Sequence, residues 1–286
     1  MTGLALLLLL CAAFCHAFWN YISKKACGGA VFVWLFNAVA SVIYILVVIG
    51  DLLLTNALFT WDSVFFMLGS GILHVGYFIL LNKGYDVGDL SLVYPLARGS
   101  GPLLSTLAAV CFLGEQPSLV ALTGTVLIAV GVFLLLGNPA KYVETKAYQA
   151  ILFALLTGLF IAGYTLWDKY AVSIMAVSPV LMYWGTTVCQ ALLLLPYALK
   201  NREAAAYQWK TNRAAVFWVA VLCPLSYILV LTAMVFTPVS YVAPAREVSI
   251  LIGAVMGARL LAEGDAKLRI AAAIVILTGL TCLALG

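Results

Sequence analysis

Deep inside apolar stretches of this 286-residue chain stand the charged side chains of Arg98, Arg246 and Glu247. A charge at membrane depth is costly and faces either a partner or a water-filled cavity. A guanidinium presents a planar fork of donors that matches carboxylate or phosphate. Two arginines against one glutamate, with Lys24 nearby, leave an excess of positive charge that suits an anionic or zwitterionic solute. Arg98 falls about eight residues into its apolar run, roughly 12 Å deep, and Arg246 about seven, roughly 10 Å from the opposite face, at ~1.5 Å per residue. Adjacent helical residues do not face each other, so Arg246 and Glu247 are not expected to pair well. Glu247 and His74 are the side chains suited to carry a coupling proton.

Other polar residues fall in helical register. His16, Asn20 and Lys24 follow one another at intervals of four, on one face of one helix, with Trp19 beside them. That stripe suits a pore lining; its alternative is bundle packing with Lys24 snorkelling to the interface. His74 and Tyr77 lie one turn apart, and Tyr227 holds the matching place in the second half. Tyr164, Thr165, Trp167, Asp168 and Lys169 close another apolar run, where Asp168 and Lys169 read as a local ion pair. Tyr183, Trp184 and Gln190 share one run, and its aromatics read as interface or packing residues more than as ligands.

The elements that must position these residues are membrane spans. The composition is 65% hydrophobic and 9% charged, which excludes an ordinary soluble domain. About ten apolar runs approach the ~20 residues that cross a bilayer: 3–22, 30–50, 63–82, 90–112, 119–137, 148–168, 176–199, 214–232, 239–259 and 268–285. They are apolar all round, unlike the alternating strands of a β-barrel. The first run lacks a basic n-region and is expected to be retained rather than cleaved. The 7 cysteines are scattered, with no CxxC pair or zinc-type spacing, and Cys11 and Cys15 read as small packing residues. No phosphate loop, HExxH or GxSxG occurs, and Asp86 with Asp89 reads as a solvated turn. No metal and no cofactor is expected. The thinly spread basic residues do not make a nucleic-acid patch.

Residues 92–137 and 241–285 read as two copies of one segment. Arg98, Glu115 and Gly131 recur as Arg246, Glu263 and Gly279 at a constant offset of 148, with Pro95 matched to Pro244. An odd number of spans between the copies would invert one relative to the other, as in secondary transporters. The predicted fold is thus all-α: ten transmembrane helices in two inverted five-helix repeats, 1–140 and 147–286. Proline and glycine around Arg98 (Pro95, Gly99, Gly101, Pro102) and Pro244 beside Arg246 predict kinked or locally unwound helices. Ser249, Gly253 and Gly257, with Gly124, Gly131 and Gly279, read as close-packing positions. All Lys and Arg except Lys169, Arg98 and Arg246 fall in the odd-numbered connections, which the positive-inside rule places in the cytoplasm with both termini outside.

The ten-span pattern, the run Val239-Ser240-Tyr241-Val242-Ala243-Pro244-Ala245-Arg246-Glu247 with Leu261-Ala262-Glu263, and its first-half echo Leu90-Ser91-Leu92-Val93-Tyr94-Pro95 with Leu113-Gly114-Glu115 resemble the EamA type of the drug/metabolite transporter superfamily. His16-Ala17-Phe18-Trp19-Asn20 with Lys24 resembles, more weakly, a bacterial subgroup associated with phosphonate utilisation. The resemblance implies alternating access around a central cavity lined mainly by spans 1, 3, 4, 6, 8 and 9, in a bacterial cytoplasmic (inner) membrane. Family members usually keep both termini in the cytoplasm, whereas the charge count here puts them outside.

The sequence therefore reads as a secondary transporter and not an enzyme. It would move a small anionic or zwitterionic metabolite (an amino acid, phosphonate or organic phosphate), driven by a coupling proton or a counter-substrate, as a monomer or homodimer in the lipid bilayer. The translocation residues would be His16, Trp19, Asn20, Lys24, His74, Tyr77, Arg98, Tyr164, Tyr227, Arg246 and Glu247. The alternatives are a flippase for a lipid-linked head group and a membrane enzyme acting on a lipid, which would need clustered acidic or nucleophilic residues.

Overall fold

In lipid every backbone N–H and C=O must be satisfied within its own segment, so apolar runs of this length become helices. The computed structural model describes residues 1–26, 29–55, 59–88, 90–134, 147–252 and 266–286, and it contains no strand among them. In chain order the helices are α1 (Gly3–Ala26), α2 (Gly29–Ile43), α3 (Ile45–Thr55), α4 (Trp61–Val87), α5 (Leu90–Leu113), α6 (Leu119–Leu134), α7 (Ala147–Ser173), α8 (Pro179–Lys200), α9 (Arg202–Phe236), α10 (Val239–Arg246) and α11 (Ala266–Leu285). Gly253, Gly257, Arg259, Leu261, Ala262, Glu263, Asp89, Lys141 and Lys146 lie outside the described residues.

Among the described residues six helices are long and apolar enough to cross a membrane: Gly3–Ala26, Trp61–Val87, Leu92–Leu113, Tyr148–Ser173, Pro179–Lys200 and Arg202–Phe236. A seventh span results if α2 and α3, bent by 42°, count as one. Leu119–Leu134 and Ile270–Leu285 are shorter apolar helices. Outward faces are covered with large apolar side chains, among them Leu46, Trp61, Phe65, Phe112, Phe217 and Leu277. Apolar exposure this extensive marks a lipid-facing surface.

The helices pack in matching pairs. α4 packs on α7 and α8, as α9 packs on α1 and α2, while α2 meets α8 and α6 meets α11. The α6–α11 crossing is built on glycine. A Cβ on Gly124 would stand 2.6 Å from the Gly279 carbonyl oxygen, and one on Gly279 would stand 2.7 Å from that of Gly124. Gly131 sits against Ala272 and Ile276, so the two helices run antiparallel.

Both termini meet at one end of the bundle. The Met1 ammonium donates to the Ala284 carbonyl at 3.5 Å, and the Tyr241 hydroxyl donates to the Gly286 carbonyl at 3.2 Å. The connections after α5, α7 and α9 gather in one groove, lined by Leu113, Glu115, Ser173, Ile174, Thr237 and Pro238. Elsewhere, Asn212 at the kink of α9 donates to the Ala26 carbonyl at 3.3 Å.

Two expectations about backbone breaks come out differently. α10 does stop at Arg246, and helix resumes over 248–252. By contrast, α5 runs as one helix through Pro95 and Pro102. Its glycines are occupied by packing instead of unwinding: a Cβ on Gly99 would stand 2.9 Å from the Phe133 ring, and one on Gly101 2.8 Å from Ile161. Ser105 also donates back to the Gly101 carbonyl at 2.8 Å, within its own helix.

Candidate functional site

α10 carries the site because of where it ends. Pro244 lies inside its last turn, and Glu247 caps it with its N–H turned back to the Pro244 and Ala245 carbonyls. At Glu247 the backbone keeps a right-handed conformation (φ −71°, ψ −9°) as the helix gives way to a turn. The Glu247 Oε1 comes to 3.7 Å from Arg246 Nε, and its Oε2 to 3.1 Å from Arg98 Nε on α5. Arg246 and Glu247 thus stand within ion-pair distance but share no hydrogen bond, a loose contact between neighbours. All three side chains are buried, with residue exposures of 4% for Arg98, 3% for Arg246 and 1% for Glu247.

One carboxylate thus serves two guanidinium groups, and the cluster keeps a surplus positive charge. Arg98 donates from Nη2 to His16 Nε2 at 3.4 Å. A guanidinium only donates, so His16 accepts there as a neutral ring with its proton on Nδ1. Arg246 is less satisfied. None of its three guanidinium nitrogens makes a hydrogen bond among the described residues. Its Cζ stands 5.8 Å from the Tyr164 ring centre and 6.0 Å from that of Tyr227, within cation–π range.

The two tyrosines belong to an aromatic cluster drawn from α4, α7, α8 and α9. His74 stacks on Tyr164 at 4.0 Å and meets Tyr227 edge-on at 5.5 Å. Tyr77 meets Tyr164 at 6.0 Å, and Tyr183 lies 4.9 Å from Tyr227. His16, His74, Tyr77 and Tyr227 are only half-buried, so the cluster keeps accessible surface beside its buried charges.

Most of the sequence-predicted residues therefore converge: His16, His74, Tyr77, Arg98, Tyr164, Tyr227, Arg246 and Glu247. Trp19 joins through its edge-on contact with His16 at 5.0 Å. Asn20 does not reach in, since its amide donates to the His16 carbonyl on its own helix at 2.7 Å. Lys24 lies exposed in the last turn of α1. Gln190 accepts from Asn37 at 3.4 Å, and the Trp184 indole donates to the Ser41 carbonyl at 2.9 Å, so both tie α8 to α2.

Asp168 and Lys169 do not form the local pair that their adjacency suggests. Successive positions diverge around the helix. The Lys169 ammonium donates to the Met234 and Thr237 carbonyls at 2.6 and 3.1 Å, closing the C-terminal end of α9. Asp168 turns inward and accepts from the Tyr227 hydroxyl at 2.8 Å. Glu115 was legible only as a repeat marker. Its carboxylate accepts from the backbone N–H groups of Val239 and Ser240, at 2.7 and 2.9 Å, and so caps α10. Glu115→Ala is expected to cost about 0.5–2 kcal/mol of stability, the range for a lost N-terminal cap, read as a lower midpoint in thermal unfolding of the detergent-purified protein.

Two cavities of about 340 Å³ each lie off this cluster. One holds Glu115, Lys169 and the α9–α10 connection. The other is an apolar groove between α1 and α9, lined by Phe14, Cys15, Phe18, Ile22, Trp218 and Leu222. Among the described residues no group of three or more His, Cys, Asp or Glu is placed to hold a metal ion.

Residues 3–137 match the EamA-like transporter family. A solved structure described only as a crystal structure of a protein superposes at a TM-score of 0.75 with 14% sequence identity, covering 100% of this chain and 98% of that one. At that identity the likeness shows a shared fold. No protein of curated function matches the chain.

Proposed function

We propose, from the match of residues 3–137 to the EamA-like transporter family, that the chain belongs to that family and is a secondary transporter for a small anionic or zwitterionic metabolite. The observation that carries this reading is the central charge arrangement. Two buried guanidinium groups share one carboxylate, and the terminal nitrogens of Arg246 have no hydrogen-bond partner among the described residues. A fork held in a polar, tyrosine-walled setting is suited to a carboxylate, phosphonate or phosphate group.

The architecture we infer is ten spans in two inverted repeats, 1–140 and 147–286. Three observations support it. The termini share one end, which requires an even number of crossings. The α4 and α9 contacts mirror each other. The equivalent helices α6 and α11 cross antiparallel on Gly124 and Gly279. Alternating access between the repeats would expose the arginines to each side in turn. The charge distribution supports cytoplasmic odd-numbered connections, in a bacterial inner membrane.

Thermal-shift screening of purified protein against amino acids, phosphonates, sugar phosphates and organic cations tests the solute class. An anion or zwitterion from this set is expected to raise the unfolding midpoint and then to be taken up by proteoliposomes. Stabilisation by organic cations alone would overturn the reading.

A second reading, a flippase for a lipid-linked head group, is favoured by one feature: the apolar groove on α1 and α9 that carries Phe14 and Phe18, one turn from the His16–Trp19 pair. It would accommodate an acyl or prenyl chain beside the arginines. Binding that requires a lipid tail on the anionic head group would select it.

A further inference from the structure

Beside the arginines lies a carboxylate that the solute site does not use. Asp168 is 1% exposed and, among the described residues, makes no ion pair. Its sequence neighbour Lys169 is committed to the Met234 and Thr237 carbonyls. Oδ2 accepts from the Tyr227 hydroxyl, while Oδ1 has no hydrogen-bond donor among the described residues. An isolated carboxylate removed from water is expensive, and taking up a proton removes the charge.

The groups around it form a path. His74 Nδ1 lies 2.9 Å from the Ser70 carbonyl oxygen and 3.3 Å from the Ser70 hydroxyl. A carbonyl only accepts, so Nδ1 carries the ring proton. Ser70 is fully buried on α4, which packs on the helix α7 that carries Asp168. His74 keeps accessible surface, whereas Asp168 has almost none.

We propose that Asp168 is the proton-binding site that couples this transporter to a proton gradient, loaded through His74 and Ser70. A proton arriving at His74 Nε2 makes the ring cationic. Nδ1 then passes its proton to Ser70 Oγ, and the Ser70 hydroxyl proton moves to Asp168 Oδ1. The histidine ends neutral and the serine ends as a hydroxyl, so one proton has been moved with no other change.

The coupling runs through Tyr227. Its hydroxyl is bonded to Asp168, and its ring stands 6.0 Å from Arg246 Cζ. The titratable and charged groups facing Asp168 are His74 from α4, Tyr183 from α8, Tyr227 from α9 and Arg246 from α10, with Tyr164 one turn away on α7. Arg98 on α5 is engaged with Glu247 and His16. Arg246 is thus the cation nearest in effect. Neutralising Asp168 leaves its positive charge less offset, which favours an anion beside it. Proton and anion therefore bind together and travel in the same direction. This inference rests on the anion-transport reading above.

Infrared difference spectroscopy of the purified full-length protein, between acidic and alkaline buffer and with no solute present, tests the proton site. Wild type is expected to show a protonated-carboxyl C=O band that is lost in Asp168→Asn and shifted in Tyr227→Phe, which removes the donor to Oδ2. An Asp168→Asn spectrum that retains the whole wild-type band overturns the assignment. Should Asp168→Asn not fold, a band unmoved in Tyr227→Phe overturns it equally. Because no solute is needed, failure here leaves the anion reading to stand or fall by its own screen.

Discussion

Arg246→Ala is expected to lower the initial rate of anion uptake into proteoliposomes by about 30-fold or more. The figure follows from the ~2–5 kcal/mol typically lost when one member of a buried, charged recognition pair is truncated. Arg246 is the guanidinium with hydrogen-bonding capacity to spare, whereas Arg98 is engaged by Glu247 and His16. Arg246→Lys should not restore uptake, because an ammonium offers a point charge without the planar fork and without the same stacking against Tyr164 and Tyr227. Uptake by Arg246→Ala at the wild-type rate, for the anion that stabilises the protein in the screen, would move the binding site elsewhere.

Glu247→Gln should act on stability more than on recognition. It removes the carboxylate that Arg98 and Arg246 share and leaves both buried guanidinium groups without an ion-pair partner among the described residues. Breaking a buried ion pair by removing one partner costs about 3–5 kcal/mol. A clear fall in the thermal midpoint of detergent-purified protein is the expected result. Added methylphosphonate should recover part of the loss, since an anion that binds only the folded form stabilises it by mass action. A Glu247→Gln protein as stable as wild type, and indifferent to methylphosphonate, would mean that the arginines find their counter-charge elsewhere.

The helical class and the central charges were legible because they depend on local facts. Long apolar runs can only be helices in lipid, and Arg98, Arg246 and Glu247 stand out against them. The break after Arg246 was legible from Pro244. The continuity of α5 was not, because whether Gly99 and Gly101 unwind a helix or admit Phe133 and Ile161 depends on partners distant in sequence. Asp168 was misjudged for a related reason. A lysine next in the chain suggests a pair, but the helix sends the two side chains to different neighbours, Tyr227 and the end of α9. Glu115 was legible only as a repeat marker, and only the fold brings it to the first N–H groups of α10.

Glu115 has a mechanical consequence. The short α10 belongs to the second half of the sequence, yet first-half side chains grip it at both ends: Glu115 at its start and Arg98 at its finish. It also packs along α5 and α6. Any rocking that parted it from α5 would have to release a carboxylate clamp and an ion pair together. Movement of α10 is thereby tied to the first-half helices that hold it, although the chain reaches it from the other half.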